Sequence, residues 1–255
     1  MRLHFHVQGE GFPLIILHGL LGSMDNWRVA SKRFAERYKV YCLDIRNHGL
    51  SPHSDVMNYP VMAQDLGEFL DLHSLSSAFV LGHSMGGKVA MQFATNFPDR
   101  VAKLAVVDIA PRTYETYHRP LLNALLALDL TRFRSYGEVD GALSEAIPEI
   151  ATRQFLLKNL KRDKDGRLGW KIHLQGIARN YDALATAVAP EPNFSKPACF
   201  VRGGRSNYVT DEDVAAIRKM FPQSEICTIP EAGHWLHVDT PEAFLRCITK
   251  FLDNP

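Results

Sequence analysis

Short apolar runs alternate with amphipathic segments over the first part of the chain. The apolar runs resemble buried strands and cover residues 14–17, 40–45, 78–83 and 104–107. The segments between them place apolar side chains at helical spacing and cover residues 25–37, 61–72 and 87–96. Such alternation is typical of a mainly parallel sheet that is flanked by helices on both faces. The pattern therefore predicts an α/β fold.

The alternation stops after residue 111. Residues 112–190 are helix-like and rich in leucine and alanine, as in 121–128, and they contain a polar loop of their own at 162–166. A long helical stretch between two strands of one sheet indicates an insertion. We therefore predict a helical cap, or lid, at residues 112–190.

The strand pattern returns after a cluster of prolines that includes Pro190, Pro192 and Pro197. Two further strand-like runs and a last amphipathic helix then follow at 198–201, 226–229 and 242–252. We assign these elements to the same sheet as the first part of the chain. The predicted core is thus formed by residues 1–111 and 191–255.

Size and composition are those of an ordinary globular protein. The chain has 255 residues, enough for one large α/β domain with an insertion. Lysine and arginine number 29 against 28 acidic residues, so the net charge of +1 gives no electrostatic reason to expect a nucleic-acid partner. No apolar stretch of about eighteen residues is present, so we expect neither a membrane-spanning helix nor a membrane partner.

The cysteines and the first residues bear on cellular setting. Cys42, Cys199, Cys227 and Cys247 are scattered without C-x-x-C spacing, and three of them lie in apolar runs that are typical of buried free thiols. The first six residues alternate like a strand and lack the apolar block of a secretion signal. We therefore expect a reduced, cytoplasmic setting.

The sequence Gly82-His83-Ser84-Met85-Gly86 matches the pattern G-x-S-x-G at the junction of a predicted strand and a predicted helix. A serine hydroxyl is a poor nucleophile unless the backbone presents it beside a base. An abrupt strand-to-helix turn presents it in this way, and the two glycines let neighbouring segments pass close by. Ser84 is therefore the candidate nucleophile.

The candidate base is His234, one of 11 histidines in the chain. It follows the last predicted strand and precedes the closing helix, which brings it to the same edge of the sheet as Ser84. His237 is its nearest competitor, and we interpret that residue as a loop or surface histidine.

The acid that would orient this base has two candidates. The loop after the penultimate strand, where the acid is usually found, contains no carboxylate, and Ser206 occupies the expected place. Asp108 ends the strand at 104–107 and is favoured because a carboxylate at a strand end is held rigidly. Asp211 lies further along the loop and also fits the N-cap of a helix at 214–220. Asp44 ends an earlier strand, and we expect it to bond structurally to nearby loop amides.

The loop His18-Gly19-Leu20-Leu21-Gly22 follows the first buried strand and is the candidate oxyanion loop. Its glycines allow backbone N–H groups to turn toward the site. The predicted donors are the N–H groups of Leu20 and of Met85, the residue after the nucleophile. We expect His18 to orient this loop and not to act as the base.

In order and spacing, the His18-Gly19 loop, the Gly82–Gly86 turn and the Gly233-His234 loop resemble the α/β-hydrolase superfamily along essentially the whole chain. A closer resemblance is to the YbfF-type bacterial esterases, and it rests on residues 44–52, 57–60, 107–111 and 204–209. The resemblance implies hydrolysis of small carboxylic esters and of acyl-CoA thioesters without a metal or organic cofactor. It also implies that the acid has moved to the strand that ends at Asp108.

Two other functions keep part of the same machinery. A carbon–carbon bond hydrolase or lyase acting on a diketone-like acid would need cations for the substrate carboxylate, which Arg46, Arg112 or Arg205 could supply near strand ends. A ligand-binding receptor that has lost catalysis would not need both Ser84 and His234. A dehalogenase or epoxide hydrolase would carry a carboxylate in place of Ser84 and is excluded.

The predicted cap also contains large apolar residues that are candidates for an acyl pocket. They would either line such a pocket or form the core of the cap itself, and they are Leu121, Leu125, Phe133, Phe155 and Trp170.

Overall fold

The structure is a computed structural model, and it describes residues 1–188 and 193–254. Its strands, in chain order, are β1 (Phe5–Gln8), β2 (Pro13–Leu17), β3 (Lys39–Leu43), β4 (Ala78–His83), β5 (Val101–Val107), β6 (Leu160–Arg162), β7 (Leu168–Trp170), β8 (Ala198–Gly203) and β9 (Ser224–Ile229). Seven of these strands form one sheet, and β6 and β7 form a separate hairpin.

The α-helices of the described residues surround the sheet or lie in the segment between β5 and β8. They are α1 (Arg28–Phe34), α2 (Tyr59–Leu72), α3 (Met85–Asn96), α4 (Arg119–Ala127), α5 (Tyr136–Leu143), α6 (Ile150–Leu157), α7 (Leu174–Arg179), α8 (Tyr181–Ala185), α9 (Asp213–Met220), α10 (Leu236–Asp239) and α11 (Pro241–Asp253). Short 3-10 helices occur at Met24–Trp27, Pro98–Arg100 and Leu130–Arg132.

The strand order in the large sheet is β1-β3-β2-β4-β5-β8-β9. All neighbouring strands in it run parallel except β1 and β3, which are antiparallel. The carboxyl ends of β2, β4, β5, β8 and β9 therefore meet at one edge, which is where ligands bind in open α/β sheets. The predicted α/β fold with a mainly parallel central sheet is confirmed.

The central strands are buried on both faces because each face is covered by helices. Along β2, Ile15 and Leu17 belong to one apolar cluster, while Leu14 and Ile16 belong to a second cluster on the opposite face. The first cluster includes residues of α2 and α3, and the second includes residues of α1 and α11. Burial on both faces explains why β2 reads as an unbroken apolar run in the sequence.

The predicted helix at 25–37 is too long. A 3-10 turn at Met24–Trp27 precedes α1, which ends at Phe34. The 3-10 turn is capped at Ser23, whose N–H donates to the side chain of Asn26 at 2.7 Å. After Phe34 the bonding changes to a tighter turn, in which the N–H groups of Glu36 and Arg37 donate to the carbonyls three residues earlier at 3.3 and 3.0 Å, and β3 follows.

The segment between β5 and β8 contains five short α-helices and also the β6–β7 hairpin. The segment predicted as a helical cap thus also contains a β-hairpin at residues 160–170, which the sequence pattern did not indicate. The polar loop that was predicted at 162–166 is the hairpin turn: the Asp163 carboxylate accepts from the N–H groups of Asp165 and Arg167, and Gly166 has φ of 79°. The proposed return from cap to core at residues 190 and 191, with Pro190 and Pro192, lies outside the described residues.

Two of the four cysteines, Cys42 and Cys199, are free and buried, as expected. Cys227 of β9 and Cys247 of α11 are partly buried and lie side by side, with their Cα atoms 7.1 Å apart, because α11 packs beside β9. None of the described helices combines the length and the apolar character that crossing a bilayer requires.

Candidate active site

Ser84 stands at the turn between β4 and α3 with φ of 52° and ψ of −121°. A residue with a side chain rarely adopts positive φ, so surrounding contacts must hold this conformation. A Cβ at Gly82 would overlap the carbonyl oxygen of Gly86, and a Cβ at Gly86 would overlap that of His18. Glycine is therefore required on both sides, and the N–H of Ser84 is fixed to the carbonyl of Val107 at 2.9 Å.

Asp108 lies at the end of β5 and its side chain has no solvent exposure. Its Oδ2 atom lies 2.8 Å from Nδ1 of His234, and its Oδ1 atom accepts from the N–H of Gly203 at 3.0 Å. The hydroxyl of Ser206 donates to Oδ2 as well. The structure thus brings together Asp108 and His234, two of the three residues that were selected for the catalytic group.

Ser206 takes the place of the acid that is usually found in the loop after the penultimate strand. The serine occupies that position and donates to the carboxylate that reaches the histidine from the neighbouring strand. Asp211 instead pairs with Arg202 at 2.7 Å, and its side chain is 90% exposed. Its interpretation as an N-cap is wrong, because α9 begins after Glu212.

The imidazole of His234 is held on a second side by Tyr208. The two rings are stacked with centroids 3.9 Å apart and an angle of 18° between them. The N–H of Tyr208 donates to the Ser206 hydroxyl at 3.2 Å, which joins this ring to the same network. The carbonyl of His234 accepts from Nε2 of His83 at 2.8 Å. The orientation of the imidazole is therefore fixed from both the side chain and the backbone.

Ser84 and His234 line the same cavity, although no hydrogen bond joins their side chains in the described residues. Hydrogen bonds between a nucleophile and its base are often long in a free enzyme and tighten only when substrate is bound. The site therefore contains a nucleophile, a base and an acid, and the hydrogen bond between the nucleophile and the base is not formed in this structure.

His237 lies in α10 and is buried, so its interpretation as a loop or surface histidine is wrong. Its ring stacks on Trp27, with centroids 4.3 Å apart and an angle of 13°. In the described part of the chain its Nδ1 atom is buried without a hydrogen-bond partner. Packing between Trp27 and Phe244 explains the burial, since a stacked aromatic ring at this position fills the space between α1 and α11.

The oxyanion loop follows β2 and forms a tight turn. The N–H of Gly22 donates to the carbonyl of Gly19 at 3.0 Å, and Leu21 has φ of 58°. The N–H groups of Leu20 and Met85 have no hydrogen-bond partner within residues 1–188 and 193–254, and both residues line the cavity. Met85 is also the first residue of α3, where the helix dipole favours negative charge. These two groups are free to bind an oxyanion.

Two buried histidines support this loop. Nδ1 of His18 donates to the carbonyl of Gly19 at 2.8 Å, and its Nε2 accepts from the N–H of Ile45 at 3.0 Å. Nε2 of His48 accepts from the N–H of Leu21 at 3.0 Å. Burial lowers the pKa of His18 to about 4 and the pKa of His48 to about 3, so both rings are neutral at pH 7. The contacts of His18 agree with its expected role in orienting the loop.

Asp44 has the structural contacts that were expected of it. Its carboxylate accepts from the N–H groups of Met24 and Leu50 at 2.8 and 2.9 Å, and it lies 3.1 Å from Nδ1 of His4. It thereby ties the end of β3 to two neighbouring loops.

Acid should weaken the fold through the buried neutral histidines. Burial also lowers the pKa of His237 to about 4. Between pH 6.5 and 5 the unfolded chain binds protons at His18, His48 and His237 that the folded chain does not bind, so the free energy of unfolding falls as the pH falls. Each residue contributes about 1–2 kcal/mol over this interval. Urea unfolding at both pH values measures the loss.

A His237→Phe variant provides the control for this prediction. Phenylalanine retains the stacking on Trp27 and removes one of the titrating groups, so the loss between the two pH values should be smaller by about 1–2 kcal/mol. An unfolding free energy in the wild type that does not change between pH 6.5 and 5 would contradict the prediction.

A cavity of about 600 Å³ opens above Ser84 and is lined from both the core and the segment between β5 and β8. Of the five apolar candidates, only Leu121 and Phe155 line it. Leu125 is buried in the apolar cluster, and Phe133 and Trp170 pack against that cluster. The interpretation as a pocket holds for two of these residues, and the interpretation as a packed core holds for the other three.

Lys88 lies one helical turn after Ser84, lines the cavity and is 2% exposed. Its ammonium donates to the carbonyl oxygen of Arg112 at 2.8 Å and also to that of Thr186. Burial lowers the pKa of Lys88 to about 7. The lysine therefore joins α3 to both ends of the segment that carries the cap helices.

The three arginines that could bind a substrate carboxylate are paired with acidic residues of the protein. Arg46 contacts Asp65 at 2.6 Å, Arg112 contacts Asp213 at 2.8 Å, and Arg205 contacts Glu231 at 3.1 Å. The lining of the cavity includes none of the three. Among the described residues there is also no cluster of histidine, cysteine or acidic side chains arranged to hold a metal ion.

Several residues that build the site were missed by sequence reasoning, namely Tyr208, His48, Lys88 and Asn159. Asn159 donates through Nδ2 to the carbonyl of Leu21 at 2.7 Å across 138 positions of sequence, and His48 reaches the same residue across 27. Contacts over such separations leave no periodic pattern in the sequence. Lys88 could have been found from its position four residues after Ser84, one turn along the predicted helix.

A strained serine between a parallel strand and a helix, with a histidine after the last strand, defines a hydrolase of the α/β class. Residues 13–241 match the family described as the alpha/beta hydrolase fold, and the chain belongs to this family. The resemblance that was inferred from the motifs is confirmed.

Individual relatives are named as esterases or lipases. The chain is 34% identical to esterase YbfF of Escherichia coli over 97% of its own length and 95% of that protein. It is 38% identical to the sn-1-specific diacylglycerol lipase ABHD11 of Mus musculus, over 94% of this chain and 80% of that protein. The solved structure of a marine microorganism esterase has a TM-score of 0.95 and 41% identity, and 98% of each chain is covered. The expectation of an enzyme that hydrolyses carboxylic esters agrees with these relatives.

Proposed function

We propose that the protein is a carboxylic ester hydrolase that works through a covalent acyl-enzyme on Ser84. The observation that carries the proposal is the hydrogen bond between His234 and the buried carboxylate of Asp108, at the cavity that Ser84 also lines. A binding protein would have no need of a histidine held in this way. The esterase and lipase names of several relatives support the same class of reaction.

In the proposed mechanism, Oγ of Ser84 attacks the ester carbonyl while Nε2 of His234 accepts its proton. Asp108 accepts a hydrogen bond from Nδ1 of the imidazole and stabilises the charged ring that forms. The negative oxygen of the intermediate is bound by the N–H groups of Leu20 and Met85. His234 then protonates the leaving alcohol or thiol, and it finally activates the water that frees Ser84.

The substrate class follows from the cavity and from what is absent in its lining. Its volume of about 600 Å³ is that of a pocket for a small molecule, and Leu121 and Phe155 present apolar surface to an acyl group. The three arginines proposed to bind the carboxylate of a diketone-like acid are paired with acidic residues and do not line the cavity, so they give no support to carbon–carbon bond cleavage. We propose small acyl esters as substrates, together with acyl-CoA thioesters.

A substrate panel combined with covalent labelling tests this proposal. The panel contains p-nitrophenyl esters of increasing chain length, the matching acyl-CoA thioesters and one diketone-like acid. We expect hydrolysis of the esters, and a fluorophosphonate probe should modify the peptide that contains Ser84. Cleavage of the diketone-like acid alone would favour the carbon–carbon hydrolase, and a label on a peptide without Ser84 would overturn the site.

A further inference from the structure

The N–H of Leu20 can bind an oxyanion only if its peptide plane is held in one orientation. That plane also contains the carbonyl of Gly19, because a peptide unit is planar and its N–H and C=O point in opposite directions. The Gly19 carbonyl accepts from the N–H of Gly22 at 3.0 Å and from His18 at 2.8 Å. The direction of the Leu20 N–H is therefore set by what binds the Gly19 carbonyl.

The N–H of Gly22 belongs to a second planar unit, which also contains the carbonyl of Leu21. That carbonyl accepts from Nδ2 of Asn159 at 2.7 Å. One chain of hydrogen bonds thus runs from the Asn159 amide through two peptide planes to the N–H of Leu20. Each bond in such a chain polarises the next, which strengthens the donor at its end.

Leu21, whose carbonyl begins the second of these planes, has φ of 58°. A leucine in this conformation is strained and persists only where its surroundings enforce it. Its N–H is bound by His48 from the core, and its carbonyl is bound by Asn159. Without the second of these bonds, the Leu21–Gly22 peptide would be free to rotate away from Gly19.

Asn159 is itself held rigidly in the segment between β5 and β8. It is 3% exposed, its N–H donates to the carbonyl of Leu156 at 3.0 Å, and its carbonyl accepts from the N–H of Lys171 at 2.7 Å. Leu156 and Lys158 line the cavity directly beside it. A side chain from the cap segment therefore reaches the oxyanion loop of the core.

We propose that Asn159 is a positioning residue for the oxyanion hole, which it aligns through the peptide units of Leu21 and Gly19. The inference rests on the proposed function, since it assigns the Leu20 N–H to the reaction. It also means that the oxyanion hole is fully formed only while the cap segment is seated on the loop.

An Asn159→Ala variant tests whether this residue positions the oxyanion hole. The quantities measured are ones that a purely structural role of Asn159 would leave unchanged. We expect kcat for a p-nitrophenyl ester to fall about 10- to 100-fold. This fall is no larger than the one that follows from removing a whole oxyanion donor. The inhibition constant of an alkyl boronic acid, which forms a tetrahedral anion on the serine, should rise by the same factor. KM should change less than about 3-fold, because the ground state does not use the hole.

Asn180→Ala is the matched control. Asn180 also lies in the cap segment and bonds to the core, through Nδ2 to the carbonyl of Asp55 at 2.8 Å, but it does not touch the oxyanion loop. Its removal should leave kcat and boronate inhibition within about 3-fold of the wild type. If Asn159→Ala does not fold, Asn159→Gln, which displaces the amide by one methylene, must show the same joint change in kcat and boronate affinity.

Two results would overturn the inference. One is kcat and boronate affinity that stay at the wild-type level in a folded Asn159 variant, and the other is a rise in KM alone. Failure of the proposed function is recognised separately, because the wild-type protein would then neither hydrolyse the ester nor bind the boronic acid.

Discussion

Replacing Ser84 with alanine is expected to lower kcat for p-nitrophenyl acetate by about 10⁴- to 10⁶-fold. The substitution removes the oxygen that attacks the ester carbonyl in the proposed mechanism, and the remaining binding groups supply only a small residual rate. The fold should survive, because the N–H of Ser84 keeps its bond to Val107 and the two glycines still permit the turn. Steady-state rates and circular dichroism of the purified variant measure both quantities.

Ser224→Ala is the control for this experiment. The Ser224 hydroxyl is buried without a hydrogen-bond partner in the described part of the chain and lies in β9, away from the cavity lining. Its loss should therefore leave the rate unchanged and should not lower thermal stability. Turnover above about one hundredth of the wild-type rate in folded Ser84→Ala would show that another group performs the attack.

The fold could be predicted from the sequence because strands that are buried on both faces are apolar at every position. Runs such as the one in β2 are apolar at every position, and amphipathic helices separate them. Element ends were less predictable, since hydrogen bonds at single residues decide them. The three-residue bonds from Glu36 and Arg37 end α1, and the Asp163 turn converts part of a helix-like segment into a hairpin.

Ser84 and His234 could be predicted because their roles depend on chain order, which the sequence preserves. Asp108 was found through an absence, the missing carboxylate in the loop that contains Ser206. The structure adds why this absence matters, since Ser206 donates to the carboxylate that replaces it. Chain order selected Ser84 and His234, whereas the missing carboxylate left Asp108 and Asp211 as candidates, with Asp108 favoured because it ends a strand.

The supporting residues could not be predicted in this way. His48 and Asn159 act on Leu21 from distant parts of the chain, and the positive φ of Leu21 has no signal in residue type, since leucine does not favour it. The burial of His237 likewise depends on a stacking partner, Trp27, from the other end of the chain. These features arise only when separate elements pack together.

Asp108→Asn should lower kcat by about 10³- to 10⁴-fold while KM changes little. Asparagine has the shape of aspartate, but its amide would stabilise the tautomer with the proton on Nε2, which cannot accept a proton from Ser84. Asp211→Asn should have no effect, because Asp211 is exposed and pairs only with Arg202 among the described residues. Ser206→Ala should fall between the two, since it removes one of the donors to the carboxylate. The reverse order, with Asp211→Asn inactive and Asp108→Asn active, would transfer the acid role to Asp211.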